Sequence, residues 1–250
     1  MPAYGVFVAG TLVVVVLVVL LARITNRQIE PDPAGGARIG DQHITVHGLY
    51  TNVVVSQALV VGVLGVLAWV ASVPIVVFGV GGHEFSIPLQ IGLGLGLGVG
   101  LYLANSASVS LLSRLGIDYS EDLRQALTPS GIGGWAVLLV IVLPIIATAE
   151  ELVFRAAMIG GIAAGVDISP FVLILLSSLA FGAGHGMQGT GGILVTGVLG
   201  IVLGTAFVVS GSLLLVVAAH YVINALEFIV HEGIANHRTT IGLPAREEHP

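Results

Sequence analysis

The chain of 250 residues has no cysteine and no lysine, and charged residues make up only 9% of it. Without cysteine, disulfides, thiolate metal sites and thiol catalysis are excluded. Zinc, if bound, would need His and carboxylate ligands. All eight basic residues are Arg, set against 14 acids for a net charge of −6, so no basic stripe exists to hold nucleic acid. What the chain has instead is apolar side chains: 56% of residues are hydrophobic and the mean hydropathy is +1.04. Soluble domains are roughly 25% charged. This composition defines an integral membrane protein.

About seven apolar stretches reach, or nearly reach, the roughly 20 residues needed to span a bilayer. Hydropathy places them at about 4–22, 51–80, 88–112, 132–163, 170–187, 191–210 and 212–231. The expected fold is therefore an all-α bundle of about seven transmembrane helices. The first stretch has the length of a signal peptide, but Met1 to Val6 carries no basic residue and the positive charge follows the run. That order suits a retained helix with its N-terminus outside.

Threading from that start puts the connections 23–50 and 113–131, the turn near 188–190 and the tail 232–250 in the cytoplasm. These hold Arg23, Arg27, Arg38, Arg114, Arg124, Arg238 and Arg246, whereas the opposing connections near Gly82, Asp167 and Gly211 hold no Arg. The positive-inside bias is satisfied. The chain is expected in the cell membrane with a cytoplasmic C-terminus. Residues 25–49, with PDPAGG, read as a flexible loop. In 117–130, Ser120 is placed to cap a short interfacial helix carrying Leu123 and Leu127 and ending near Pro129.

The run IGLGLGLGVG at 91–100 lacks the spacing and the preceding strand of a nucleotide loop. Gly92, Gly96 and Gly100 form two overlapping GxxxG steps, which predicts close helix packing through that face. There is no G-x-S-x-G elbow, and Ser210 and Ser212 lack its flanks.

Against this apolar background a few polar groups stand out. Glu150, Glu151 and Arg155 lie in TAEELVFR, His185 follows Phe181 by four, and His220 with Asn224 lie in HYVIN. A charged side chain at a helix centre costs roughly 2.5–3.5 kcal/mol on insertion scales, so such groups mark function by default. Glu151 and Arg155, at i and i+4, share a face and can pair, while Glu150 points about 100° away. One acid can be structural while the other faces a cavity. His220 and Asn224 also stack at i and i+4 and need partners from other helices. Counted at about 1.5 Å per residue from the outer helix ends, Glu150 lies near 20 Å, His185 near 22 Å and His220 near 12 Å. They share a layer only approximately, and only if 132–163 is one long, tilted or kinked helix.

Glu150-Glu151-x-x-x-Arg155, Phe181-x-x-x-His185 and His220-x-x-x-Asn224, in this order on separate apolar helices, resemble the CPBP family of intramembrane proteases. That family includes type II CAAX prenyl endopeptidases and bacteriocin-processing or immunity-related proteins. The resemblance covers roughly 132–231, and Phe154 stands where the family often has Phe. It implies a catalytic helical core at 132–231 after an N-terminal membrane unit, 1–131, with 232–250 as tail. By the same resemblance Glu150 activates water, His185 helps hold it, His220 and Asn224 stabilise the oxyanion, and Glu151 with Arg155 and Phe181 support the site. No metal is required by these roles. If zinc is used, Glu150, His185 and His220 are its ligands, but neither His83-Glu84 nor His231-Glu232 completes an HExxH pair.

The expected partners are membrane lipid and a prenylated or membrane-embedded protein or peptide. A rival reading is a non-catalytic immunity or scaffold protein in which the same groups only join helices. A proton-coupled transporter is a third, but the chain lacks matching halves with broken helices.

Overall fold

The computed structural model describes residues 2–26, 28–32, 35–81 and 85–233. Arg27, Gly82, the His83-Glu84 pair, and the tail from 234 with Arg238 and Arg246 lie outside the described residues. Helix α1 is Tyr4–Asn26, α2 is Val46–Val70 and α3 is Ile87–Arg114. A short α4, Asp122–Leu127, precedes the long α5, Ile132–Gly165. Then come α6, Pro170–Gly184, α7, Gly189–Ser210, and α8, Leu213–Gly233.

Six of these helices are long and apolar enough to cross a membrane, among the described residues. The stretch predicted as a span at 170–187 is the exception. It forms the 15-residue α6, about 22 Å long against a hydrocarbon core of about 30 Å. The helix stops because the chain turns at His185 and winds into a single 3₁₀ turn, Gly186–Gln188. That early stop leaves His185 at a helix end inside the bundle.

Residues 25–49 were expected to form a flexible loop. They are not simply a loop: strands β1 (Ile29–Pro31), β2 (Ala37–Ile39) and β3 (Gln42–Ile44) form an antiparallel meander, with Arg38 opposite both Glu30 and His43. Glycines at φ +88° and +57°, Gly36 and Gly40, make the turns possible. Ala37 is fully buried in a cluster with Leu49, Tyr50, Ala126 and Leu127, so the sheet docks against α2 and α4. The Tyr50 hydroxyl seals that contact by donating to the Leu127 carbonyl at 2.8 Å. In the interfacial segment the Ser120 hydroxyl accepts the Asp122 N–H at 3.1 Å, but Ser120 sits one residue ahead of the cap position, which Glu121 takes without a side-chain bond.

The glycine face that packs is not the expected stripe of Gly92, Gly96 and Gly100. A Cβ on Gly92, Gly96 or Gly100 would meet nothing, whereas on Gly94 it would lie 2.5 Å from the Leu215 carbonyl and on Gly98 2.6 Å from the Ala219 carbonyl. Alternating glycine supplies two GxxxG stripes on nearly opposite faces, and α8 packs on the other one. Polar staples bracket that contact. The Ser212 hydroxyl donates to Gln90 Oε1 at 2.6 Å at one end, and Asn105 Nδ2 donates to Glu227 Oε1 at 2.6 Å at the other.

Helix α5 runs unbroken past the acids, so Glu150 is well inside it. Pro144 cannot donate to the ladder, and the turn before it, Leu138–Val142, widens to i→i+5 bonding, as the Leu143 N–H to Leu138 carbonyl bond shows. A second wide stretch, Leu152–Gly161, begins directly after Glu151. There the Phe154 carbonyl also accepts the Ser177 hydroxyl at 2.6 Å, tying α5 to α6. The core between helices holds Ile159, Leu203, Val216 and Ala219, while Ile132, Val209, Trp69 and Phe171 point outward. Outward apolar side chains are the surface lipid requires.

Candidate active site

Glu151 and Arg155 lie fully inside the protein, at 0% and 1% exposure. One turn apart on α5, they pair through Arg155 Nη1 and Glu151 Oε1 at 2.8 Å. The same carboxylate oxygen takes His220 Nδ1 of α8 at 2.7 Å. Arg155 also reaches the Gly200 carbonyl at 3.4 Å, and its guanidinium carbon lies 4.5 Å from the Phe181 ring centroid. This triad is a dry joint that locks α5, α6, α7 and α8 together. Desolvation makes it costly unless each charge is met, and the two short bonds on Oε1 meet the charge of Glu151.

Glu150 is separate from that joint. Its side chain keeps 19% exposure, its Oε2 is buried without a hydrogen bond, and that atom lies 3.6 Å from His220 Nε2. The pair of acids therefore splits as their 100° separation demands: one is buried in the joint, the other borders a cavity. His185 Nδ1 bonds the Phe181 carbonyl at 2.8 Å. A carbonyl only accepts, so Nδ1 carries the proton and Nε2 of the neutral ring is left as an acceptor. Phe181 forms the wall between both imidazoles, with ring centroids 4.6 Å from His185 and 5.9 Å from His220, and packs on Phe154 at 5.0 Å.

A cavity of about 280 Å³ is bordered by Glu150, His185, His220 and Asn224 together. All the polar residues singled out in the sequence thus meet, some in the joint and the others around open space. The Asn224 carboxamide has no protein partner among the described residues. Other lining groups carried no motif: Gln57, Tyr119, Arg124, Gln188 and Glu227. Glu227 was legible in principle, since it follows Asn224 by three on the same stripe of α8. Gln188 follows His185 by three.

The mouth of the cavity is roofed by α4. Arg124 reaches Glu121 Oε2 at 2.6 Å, Glu232 Oε1 at 2.9 Å and Glu227 Oε2 at 3.1 Å. Burial alone would lower its pKa, but the bonds to Glu232 and Glu121 outweigh it and hold the guanidinium above its ordinary value. Burial, and then Glu227, push the neighbouring Tyr119 phenol up, keeping it a neutral donor.

Each imidazole spends Nδ1 on an acceptor, which is how metal-bound histidines are oriented. Yet among the described residues no three His, Asp or Glu side chains converge so as to hold a metal ion. Glu150, His185 and His220 as placed do not fit zinc.

Residues 132–226 match the family model described as type II CAAX prenyl endopeptidase Rce1-like. The match runs from the start of α5 to just past Asn224, so it contains Glu150, Glu151, Arg155, Phe181, His185, His220 and Asn224 and leaves α1–α4 outside. No curated protein and no solved structure gives a match. The chain is an integral membrane, all-helical protein whose residues 132–226 are similar to that family.

Proposed function

We propose that this protein is an intramembrane endopeptidase that cuts a peptide bond in a membrane-associated, prenylated CAAX-type protein using water activated by Glu150. The observation that carries this reading is the shared cavity: carboxylate, two imidazoles and a carboxamide border one space of about 280 Å³. A scaffold would need only the dry joint of Glu151, Arg155 and His220. It would not need Glu150, His185 and Asn224 around open volume.

The chemistry follows from the orientations. Water held by His185 Nε2 loses a proton to Glu150 as its oxygen bonds to the scissile carbonyl carbon, and the carbonyl oxygen becomes an oxyanion. Asn224 donates to that oxyanion. Collapse breaks the C–N bond, and the proton held by Glu150 passes to the leaving nitrogen. His220, fixed by Glu151 at Nδ1, presents Nε2 toward Glu150. It can donate to the oxyanion only as an imidazolium, since Nδ1 is already the donor to Glu151. Arg155 and Phe181 hold this arrangement. Prenyl chain and lipid would share the apolar side of the site, where a cavity of about 190 Å³ lined by Val18, Val60, Val153 and Phe154 reaches Glu150. The Arg-bearing connections support a cytoplasmic mouth.

The test is cleavage of a farnesylated Cys-a-a-X peptide by purified protein in vesicles, with Glu150→Gln as control. Loss of cutting in a variant that keeps its unfolding midpoint is expected. Full activity in Glu150→Gln would end the assignment.

A further inference from the structure

Three cavities, of about 80, 280 and 190 Å³, reach the site, and among the described residues lining them only His185 and Gln188 border every one. We infer that Gln188 is a catalytic residue: its carboxamide N–H donates to the oxyanion alongside Asn224. This rests on the hydrolytic reading above and adds a residue outside its three motifs.

Gln188 is held at both backbone and side chain. Its N–H donates to the His185 carbonyl at 3.0 Å, and its own carbonyl accepts the Ser120 N–H at 3.0 Å. The next residue, Gly189, has φ +74°, and a Cβ there would lie 2.8 Å from Asp118 Oδ2. The turn is thus clamped between α6, α7 and the segment leading to α4. At the side chain, the buried Thr196 hydroxyl donates to Gln188 Oε1 at 3.2 Å. Fixing Oε1 fixes the amide plane and turns Nε2 the other way. No acceptor among the described residues takes the Nε2 hydrogens. Gly192 leaves room for this arrangement: a Cβ there would lie 2.0 Å from Gln188 Cβ and 3.0 Å from Oε1.

The donors already present leave a shortfall that Gln188 fills. His185 shows only a lone pair to the cavity, because Nδ1 carries its proton. Arg155 is enclosed in the joint, and His220 Nε2 faces Glu150 at 3.6 Å. Asn224 is then the only neutral donor of the motif set. A tetrahedral oxyanion is usually met by two or more preorganised donors, and deleting one costs about 10²–10³ in kcat. Gln188, which borders the same three cavities as His185, supplies the second.

Vesicle-reconstituted wild type, Glu150→Gln, Gln188→Glu, Gln188→Met and Thr196→Val are compared on the farnesylated peptide. Gln188→Glu keeps shape and the acceptor for Thr196 but loses the N–H donor; Gln188→Met removes the donor without adding charge. Both are expected to lower kcat about 100-fold with KM within about threefold and the unfolding midpoint unchanged. Thr196→Val, which only frees the amide plane, is expected to lower kcat several-fold. A kcat within threefold of wild type in either folded Gln188 variant overturns the role, as does a loss confined to KM or explained by a lowered midpoint. Wild type that leaves the peptide uncut refutes the hydrolytic reading and the Gln188 role with it, whereas active wild type beside active Gln188 variants refutes Gln188 alone.

Discussion

Replacing Arg155 by Met strands a carboxylate in the driest part of the protein. Glu151 has no exposed surface, and two of its contacts, Arg155 Nη1 at 2.8 Å and His220 Nδ1 at 2.7 Å, fall on one oxygen while Oε2 has no hydrogen bond. Removing one partner of a buried ion pair costs about 3–5 kcal/mol, since the survivor is left charged and desolvated. His220 still donates to Glu151, so the lower end of that range is expected. The double variant Glu151→Gln/Arg155→Met removes both charges while Gln Oε1 continues to accept from His220 Nδ1. It should recover most of the loss and be about 2–3 kcal/mol more stable than Arg155→Met alone. Stability would be read from reversible unfolding in mixed micelles, followed by helix content. A cost below about 1 kcal/mol for Arg155→Met, or a double variant no more stable than that single one, would refute the reading of this triad as the joint of the bundle.

Gly98→Leu should separate α3 from α8, because its Cβ would lie 2.6 Å from the Ala219 backbone carbonyl, whereas Gly96→Leu meets open space and should unfold like wild type; equal midpoints for the two would reject the assigned packing face. Exhaustive chelation should leave activity intact, since Glu150, His185 and His220 are not grouped to hold a metal ion; zinc present in proportion to activity, and lost together with it, would contradict this.

Much of the site was legible because each polar group in an apolar helix needs a reason to be there. The i and i+4 spacing of Glu151 and Arg155 gave their pairing, and the 100° offset separated Glu150 from them. The glycine face was misread for a physical reason: alternating glycine offers two equivalent stripes, and glycine has no side chain to reveal its neighbour. The signal lay in the flanks. Gln90 and Asn105 share a face with Gly94 and Gly98, and all four are buried. The small sheet was missed because three-residue strands carry too little periodicity to register. Gln188 and Arg124 were missed because each lies outside the apolar helices, where a polar residue attracts no notice.

Composition alone made this a membrane protein, since lipid admits only a chain whose side chains are mostly apolar and whose backbone bonds close within helices. Residue order fixed which helices carry acid, imidazole and amide, because helical spacing sets which groups share a face. Neither could say that one oxygen of Glu151 would bind both Arg155 and His220, or that α6 would stop short to leave His185 beside open space. Those depend on how helices distant in sequence settle against one another, and that is decided by side-chain volume and hydrogen-bond geometry between helices, which no local pattern encodes.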